Sequence, residues 1–173
     1  TDLFRKRSNG SDDVMKVTLI SVGTLSQKAY ADAFSEYAKR FSAHGILECA
    51  EIREKKIDAS PSEAQIAAAL DFEGDAILSK IPPRAFVFAM AIEGKSMTSE
   101  AFASLLDRKM TEGVPEFCFV IGSSFGLSDK VKRRADALLS MSPMTFPHQL
   151  ARVMLAEQLY RASQILSGGK YHK

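Results

Sequence analysis

Three stretches of the chain are apolar without alternation: Lys16 to Gly23 (KVTLISVG), Phe86 to Ile92 (FVFAMAI) and Phe117 to Gly122 (FCFVIG). A strand with one face in water alternates apolar and polar residues, so unbroken runs of this kind must be covered on both sides. Sheets covered on both sides are built mainly from parallel strands, and parallel strands need long crossovers that are usually helical. That requirement directs the chain toward an α/β architecture.

The remaining sequence supplies the crossovers. A helix is expected from about Ser26 to Ser42, with Ala29, Ala33, Phe34, Tyr37 and Phe41 on one face. Ile46 to Ile52 reads as a second, weaker strand. Ser60-Pro61-Ser62-Glu63 predicts a helix start in which Ser60 caps, Pro61 takes the first position and Glu63 reaches back. That helix carries Ile66, Leu70, Ile77 and Leu78. Glu93 to Thr98 reads as a polar loop, followed by a helix to about Glu112. Ser128 caps a short basic helix, Ala137 to Ser142 gives a fifth strand, and a long helix runs from about Gln149 to Leu166 before Gly168-Gly169 ends it. The expected fold is α/β, with a mainly parallel five-stranded sheet and helices on both faces. No repeat or linker divides it, so residues 15–173 read as one domain. Thr1 to Val14, polar and rich in Ser, Asn, Gly and Asp, reads as a disordered leader or an expression remnant.

Composition narrows the function. No apolar run approaches the roughly 20 residues a membrane span needs, and the first residues lack a signal-peptide core, so a cytoplasmic protein is expected. Cys49 and Cys118 have no metal-like spacing and read as buried, reduced thiols; no metal site is expected. The net charge of +2 conceals an asymmetry. From Lys130 to Lys173 there are eight Lys/Arg against two Asp/Glu, a net of +6, which leaves fifteen against nineteen, or −4, elsewhere. The C-terminal quarter is therefore a candidate face for a polyanion, or else simply a solvated surface.

In open α/β sheets ligands bind beyond the carboxyl ends of the strands. That rule selects the loops after Ile92, Ile121 and Met141. The second, Gly122-Ser-Ser-Phe-Gly-Leu127, lets backbone approach a ligand, although it equally suits a structural turn. The third, Ser140-Met-Ser-Pro-Met-Thr-Phe-Pro-His148, is proline-restrained and stiff. Beyond it, His148 and Arg152 share a helix face, with Glu157 and Arg161 further along. His148 is either a cap or packing residue or a base. Arg133, Arg134 and His44 read as surface. The tail Tyr171-His172-Lys173 combines a stacking ring, an imidazole and a cation, and is otherwise a frayed end.

The block from Met144 to Ala162 (MTFPHQLARVMLAEQLYRA), continuing to Tyr171-His172-Lys173, resembles the C-terminal signature of the RlmH family. These are large-subunit ribosomal RNA pseudouridine N3-methyltransferases of the SPOUT superfamily. Val17 to Gly23, Ile92-Glu-Gly-Lys95 and Ile121-Gly-Ser-Ser-Phe-Gly-Leu127 are similar to other family segments, so the resemblance runs from Met15 to the C-terminus. It implies a deep trefoil knot near the C-terminus, a homodimer, and S-adenosylmethionine held by Met90, Gly122, Met141, Ser142, Pro143, Met144, Thr145 and Phe146. It implies as substrate the helix 69 loop of 23S rRNA on the assembled 70S ribosome. Ser123 stands where the family usually has glycine, Ala91 where it has an acid, and Lys170 where proline or alanine is common. Methylating N3 requires loss of its proton, so the candidate catalytic residues are His148, Arg152, Tyr171, His172 and Lys173. In this reading the tail touches RNA, while His148 and Arg152 shape the site. Two alternatives stay open: a silent ribosome- or RNA-binding relative, and a SPOUT enzyme acting on another RNA such as tRNA.

Overall fold

A computed structural model describes residues 14–173, so the expected leader lies outside the described residues apart from Val14. The strands are β1 (Met15–Val22), β2 (Gly45–Ile52), β3 (Phe86–Ser96), β4 (Phe117–Ile121) and β5 (Ala137–Ser140). They form one sheet in the order β2-β1-β4-β3-β5, and every pairing is parallel. The helices are α1 (Lys28–Phe41), α2 (Glu63–Lys80), α3 (Ser99–Thr111), α4 (Asp129–Arg134) and α5 (His148–Ser167).

The unbroken apolar runs occupy β1, β3 and β4, and each is covered on both faces. On one side Phe41, Phe102, Leu106, Leu155 and Leu159, from α1, α3 and α5, pack on Leu19, Phe88, Phe117 and Phe119. On the other, Ile77 of α2 and Val131 of α4 pack on Ile20, Val87 and Val120. Phe88 and Phe119, adjacent across the β3–β4 ladder, stack with ring centroids 4.7 Å apart and planes within 7°. Burial of such a side chain contributes roughly 1.5–3 kcal/mol.

Several boundaries move, each for a local reason. The cap of α2 is Ser62, not Ser60: its hydroxyl accepts from the Gln65 amide at 3.2 Å, and Gln65 Oε1 accepts from the Ser62 amide at 2.8 Å. Pro61 therefore precedes the cap, and Gln65 takes the role expected of Glu63. Much of the expected Glu93–Thr98 loop belongs to β3, because the strand resumes after a bulge: Met90 and Lys95 both pair with Leu139. Ser128 caps α4 as expected, accepting from Val131 N at 3.4 Å. Cys118 is buried in β4, which pushes its thiol up to about 12. Cys49, expected to be buried, is exposed, because β2 lies at the sheet edge with polar alternation. His44 is half-buried rather than surface and contacts Gln164 at 2.9 Å. Among the described residues no helix is long and apolar enough to cross a membrane.

Removing the stacked ring should leave a void that the sheet cannot close. Phe88→Ala is expected to cost about 3–5 kcal/mol in urea unfolding, with the transition still cooperative.

Candidate functional site

The carboxyl ends of β3, β4 and β5 converge on a cavity of about 780 Å³. Met90 ends the regular part of β3, and Ala91, Ile92 and Glu93 lie in its bulge. After β4 the chain turns tightly: Gly126 N donates to the Ser123 carbonyl at 2.9 Å. A Cβ on Gly122 would sit 2.3 Å from the Gly126 carbonyl oxygen, so only glycine permits this closure. After β5, Ser140 Oγ donates to the Ser142 carbonyl at 3.1 Å and Ser142 Oγ accepts from Met144 N at 3.0 Å, bracing the third loop from within.

Seven of the eight residues implied as cofactor contacts line this one cavity: Met90, Gly122, Met141, Ser142, Met144, Thr145 and Phe146. Pro143 does not line it. Ala91 and Ser123, two of the departures from the family pattern, do. Its charged residues are Glu93 and Lys132, which pair at 2.5 Å and hold the Glu93 carboxyl below its ordinary range. Ile92, Phe125 and Met144 are exposed apolar residues on its wall. Among the described residues no three or more His, Cys, Asp or Glu side chains gather as a metal site.

His148 and Arg152 separate in role. His148 lines the cavity, packs against Gly23, and has a buried Nδ1 with no hydrogen-bond partner. Arg152, only 4% exposed, is not part of the cavity lining. Its Nη1 donates to Glu51 Oε1 at 2.7 Å and its Nη2 to the Gly23 carbonyl at 2.5 Å. It therefore locks the start of α5 to the ends of β1 and β2.

The tail is folded onto α5. Tyr171 donates to Glu157 Oε1 at 3.1 Å, and Arg161 lies 4.6 Å from the Tyr171 ring centroid. Burial, then Glu157 and Tyr37, push the phenol up to about 12, so it stays protonated. His172 meets Arg161 Nη1 through Nδ1 at 3.2 Å and Glu100 Oε1 through Nε2 at 2.7 Å. Since Arg161 can only donate, the matching tautomer accepts at Nδ1 and carries its proton on Nε2. Lys173 is exposed, as is Lys170. Beside this tail a second cavity, about 410 Å³, is lined by Tyr37, Ser99, Phe102, Met154 and Glu157 among others. The two cavities share Leu139, Ser140 and Met141. Arg134 pairs with Asp136 at 3.7 Å, while Arg133 is exposed.

Sequence reading missed Glu51, Glu73, Glu100 and Lys132. Only Glu73 left a trace: Ala69, Glu73 and Ile77 recur every fourth residue, which places an acid on the apolar face of α2.

Residues 15–172 match the family described as "Predicted SPOUT methyltransferase". The chain is 46% identical over 159 residues to the ribosomal RNA large subunit methyltransferase H of Bacillus pumilus, covering 92% of this chain and 100% of that one. The protein of that name from Streptococcus thermophilus is equally similar, at 46% over the same shares, and that of Streptococcus agalactiae is 45% identical. Among solved structures, a probable methyltransferase from Bordetella pertussis Tohama I superposes with a TM-score of 0.54 at 16% identity. That superposition covers 86% of this chain and 95% of that one. A probable methylase family protein from Haemophilus influenzae gives 0.51 at 12% identity, covering 92% and 71%.

If Arg152 is a lock, it needs its planar fork. Arg152→Ala is expected to cost about 3–6 kcal/mol in urea unfolding, for two charge-assisted hydrogen bonds at about 1.5–3 kcal/mol each. Arg152→Lys should recover less than half of that, because one ammonium cannot span Glu51 and the Gly23 carbonyl as the guanidinium does.

Proposed function

Because the chain belongs to the SPOUT methyltransferase family, we propose that it methylates N3 of a pseudouridine in the helix 69 loop of 23S rRNA on the assembled 70S ribosome. S-Adenosylmethionine is its methyl donor. The observation that carries the reading is the gathering of Met90, Gly122 and the Met141–Phe146 loop around one cavity. The lining suits the donor. Its volume falls in the range of small-ligand sites, and Met90, Leu127 and Phe146 offer apolar walls for a purine. Ser142, Thr145 and the loop backbone offer polar edges. When bound, the donor supplies an electrophilic methyl group on a sulfonium.

The rest of the work falls to the chain. N3 of the target base bears a proton that must leave before nitrogen can attack. Tyr171 is no acceptor for it, since its phenol stays protonated. The imidazole open to take it is His148 at the larger cavity, since His172 already accepts from Arg161 at Nδ1 and donates to Glu100 at Nε2 and would first have to release the Arg161 contact. Arg161 and Lys173 supply positive charge near the tail, which favours the N3 anion. Arg152 acts at a distance, by fixing where the third loop ends.

The same reading makes the enzyme a cytoplasmic homodimer, since ribosomes are cytoplasmic and the half-buried apolar Met97, Val153 and Met154 on the lining of the smaller cavity offer surface to a second copy. It also gives the C-terminal segment a knotted path. Support for that path comes from the β3 bulge, beside which the chain crosses from β5 to the Gly23 end of the sheet.

Labelled methyl transfer from S-adenosylmethionine to 70S particles, separated subunits, naked 23S rRNA and tRNA tests the proposal. Label is expected only on 70S particles, in the helix 69 loop. Label on tRNA instead would name another substrate, and donor binding without transfer to any RNA would identify a silent relative. Deleting Tyr171–Lys173 should lower transfer at least about a hundredfold, the scale of lost positioning and acid–base help. Donor affinity should be kept.

A further inference from the structure

The chain leaves α5 through two glycines that are needed for different reasons. Gly168 takes a left-handed conformation, φ 74°, and nothing lies within 4 Å of where its Cβ would be. Gly169 needs room instead. A Cβ there would overlap the Gln164 side-chain oxygen and come within 2.8 Å of Gln164 Cδ. The Gly169 amide also donates to the Gln164 carbonyl at 2.8 Å. Gln164 thus holds the turn twice, by its backbone and by its carboxamide.

That carboxamide is fixed in turn from a distant part of the chain. Gln164 Nε2 meets His44 Nε2 at 2.9 Å, across 120 residues of sequence. An amide nitrogen only donates, so His44 accepts at Nε2 and carries its proton on Nδ1. His44 sits between α1 and β2, where its own amide donates to the carbonyl of fully buried Phe41 at 2.8 Å. Its ring lies 6.4 Å from that of Tyr160, so it adjoins both the turn and the tyrosines beside the tail.

What this clamp decides is the direction of the tail. Glu157 lies seven residues back along α5 from Gln164, about 10 Å. Gly169 and Tyr171 are two residues apart, which span at most about 7 Å. Tyr171 reaches Glu157 Oε1 at 3.1 Å and packs 4.7 Å from the Tyr160 ring because the chain reverses as soon as it leaves the helix. A wider turn would carry the ring past the helix end. We propose that Gln164 is a positioning residue for the C-terminal tail: clamped between His44 and Gly169, its carboxamide turns the chain back along α5 and so sets where Tyr171 and His172 stand. The role rests on the reading of the tail as the segment that meets RNA. It gives the double glycine a purpose beyond ending a helix.

The test uses the full chain, with 70S particles as methyl acceptor and S-adenosylhomocysteine as the titrated probe of the donor cavity. Trypsin cuts after Lys170 in chains whose tail has left α5, so loss of Tyr171-His172-Lys173, followed by mass, reports undocking. Gln164→Ala should speed that loss about fivefold, the factor for one neutral hydrogen bond. It should lower kcat at saturating 70S particles about tenfold, within the range that misplacement alone commands. Probe affinity and the urea midpoint should barely move. Gly169→Ala should act in the same direction, and in a Gln164→Ala background it should add little, because the obstacle is gone. His44→Ala should reproduce the Gln164→Ala defect, and His44→Gln, which keeps an acceptor, should recover most of it. If Gly169→Ala fails to fold, Gln164→Ala and the His44 pair decide the matter. Wild-type tail release in Gln164→Ala would overturn the proposal, and so would faster release with wild-type kcat. Unchanged transfer after deletion of Tyr171–Lys173 would instead sink the RNA reading of the tail, and this role with it, while the trypsin data would still show whether Gln164 sets the tail's path.

Discussion

The buried guanidinium of Arg152 sets the geometry on which the cavity depends. Its two contacts, Glu51 and the Gly23 carbonyl, belong to the carboxyl ends of β2 and β1. The strand that precedes it, β5, lies at the opposite edge of the sheet. From β5 to β1 is three strand spacings, about 14 Å. The Met141–Pro147 segment, which can reach up to about 24 Å when extended, must therefore pass over the carboxyl ends of β3 and β4. That crossing makes it a roof above the Gly122 turn and the β3 bulge. A loop free to enter α5 beside β5 would enclose nothing.

The same end of the sheet carries a second buried charge. Glu73 ties the β2–α2 connection to α2 through the Lys55 amide, as Arg152 ties the roof to β1 and β2. Each is shielded from water, and a buried charge survives only when hydrogen-bonded. Arg152 still leaves its Nε without a partner, and His148 nearby leaves Nδ1 so. Unpaired buried polar atoms cluster at functional sites, because packing there is shaped for something other than stability. The apolar layers behind them, with Phe88 stacked on Phe119, provide the stability that lets the strand ends carry such strain.

Much of this was legible in the sequence, and the reason is physical. Strands buried on both faces announce themselves, so β1, β3 and β4 were readable to within a residue at their starts. An edge strand such as β2 alternates, and the exposure of Cys49 was lost in that ambiguity. The α2 cap was misplaced because Ser60 and Ser62 are both competent, and only the reach of Gln65 selects between them. The residues around the cavity came from a resemblance over a long C-terminal block, and the structure gathers all but Pro143. Pairwise ties between distant segments left no such mark. Nothing near Arg152 in sequence points to Glu51, and nothing near Lys55 points to Glu73.

The tail poses the opposite problem, since the Tyr171 hydroxyl and both His172 ring nitrogens already have a place. Tyr171 is bound to Glu157, and both nitrogens of His172 are engaged by Arg161 and Glu100. A frayed tail would lose conformational entropy on meeting RNA, of order 1–2 kcal/mol per residue. A docked tail has already lost it. On the proposed reading, a base therefore meets a preformed surface: the Tyr171 ring edge, an oriented imidazole and the exposed Lys173. A chain of 19.0 kDa and +2 net charge gains little affinity from electrostatics spread over its surface. On that reading, preorganisation at three residues is the more economical source of recognition, and it suits a base that is presented to the enzyme rather than searched for.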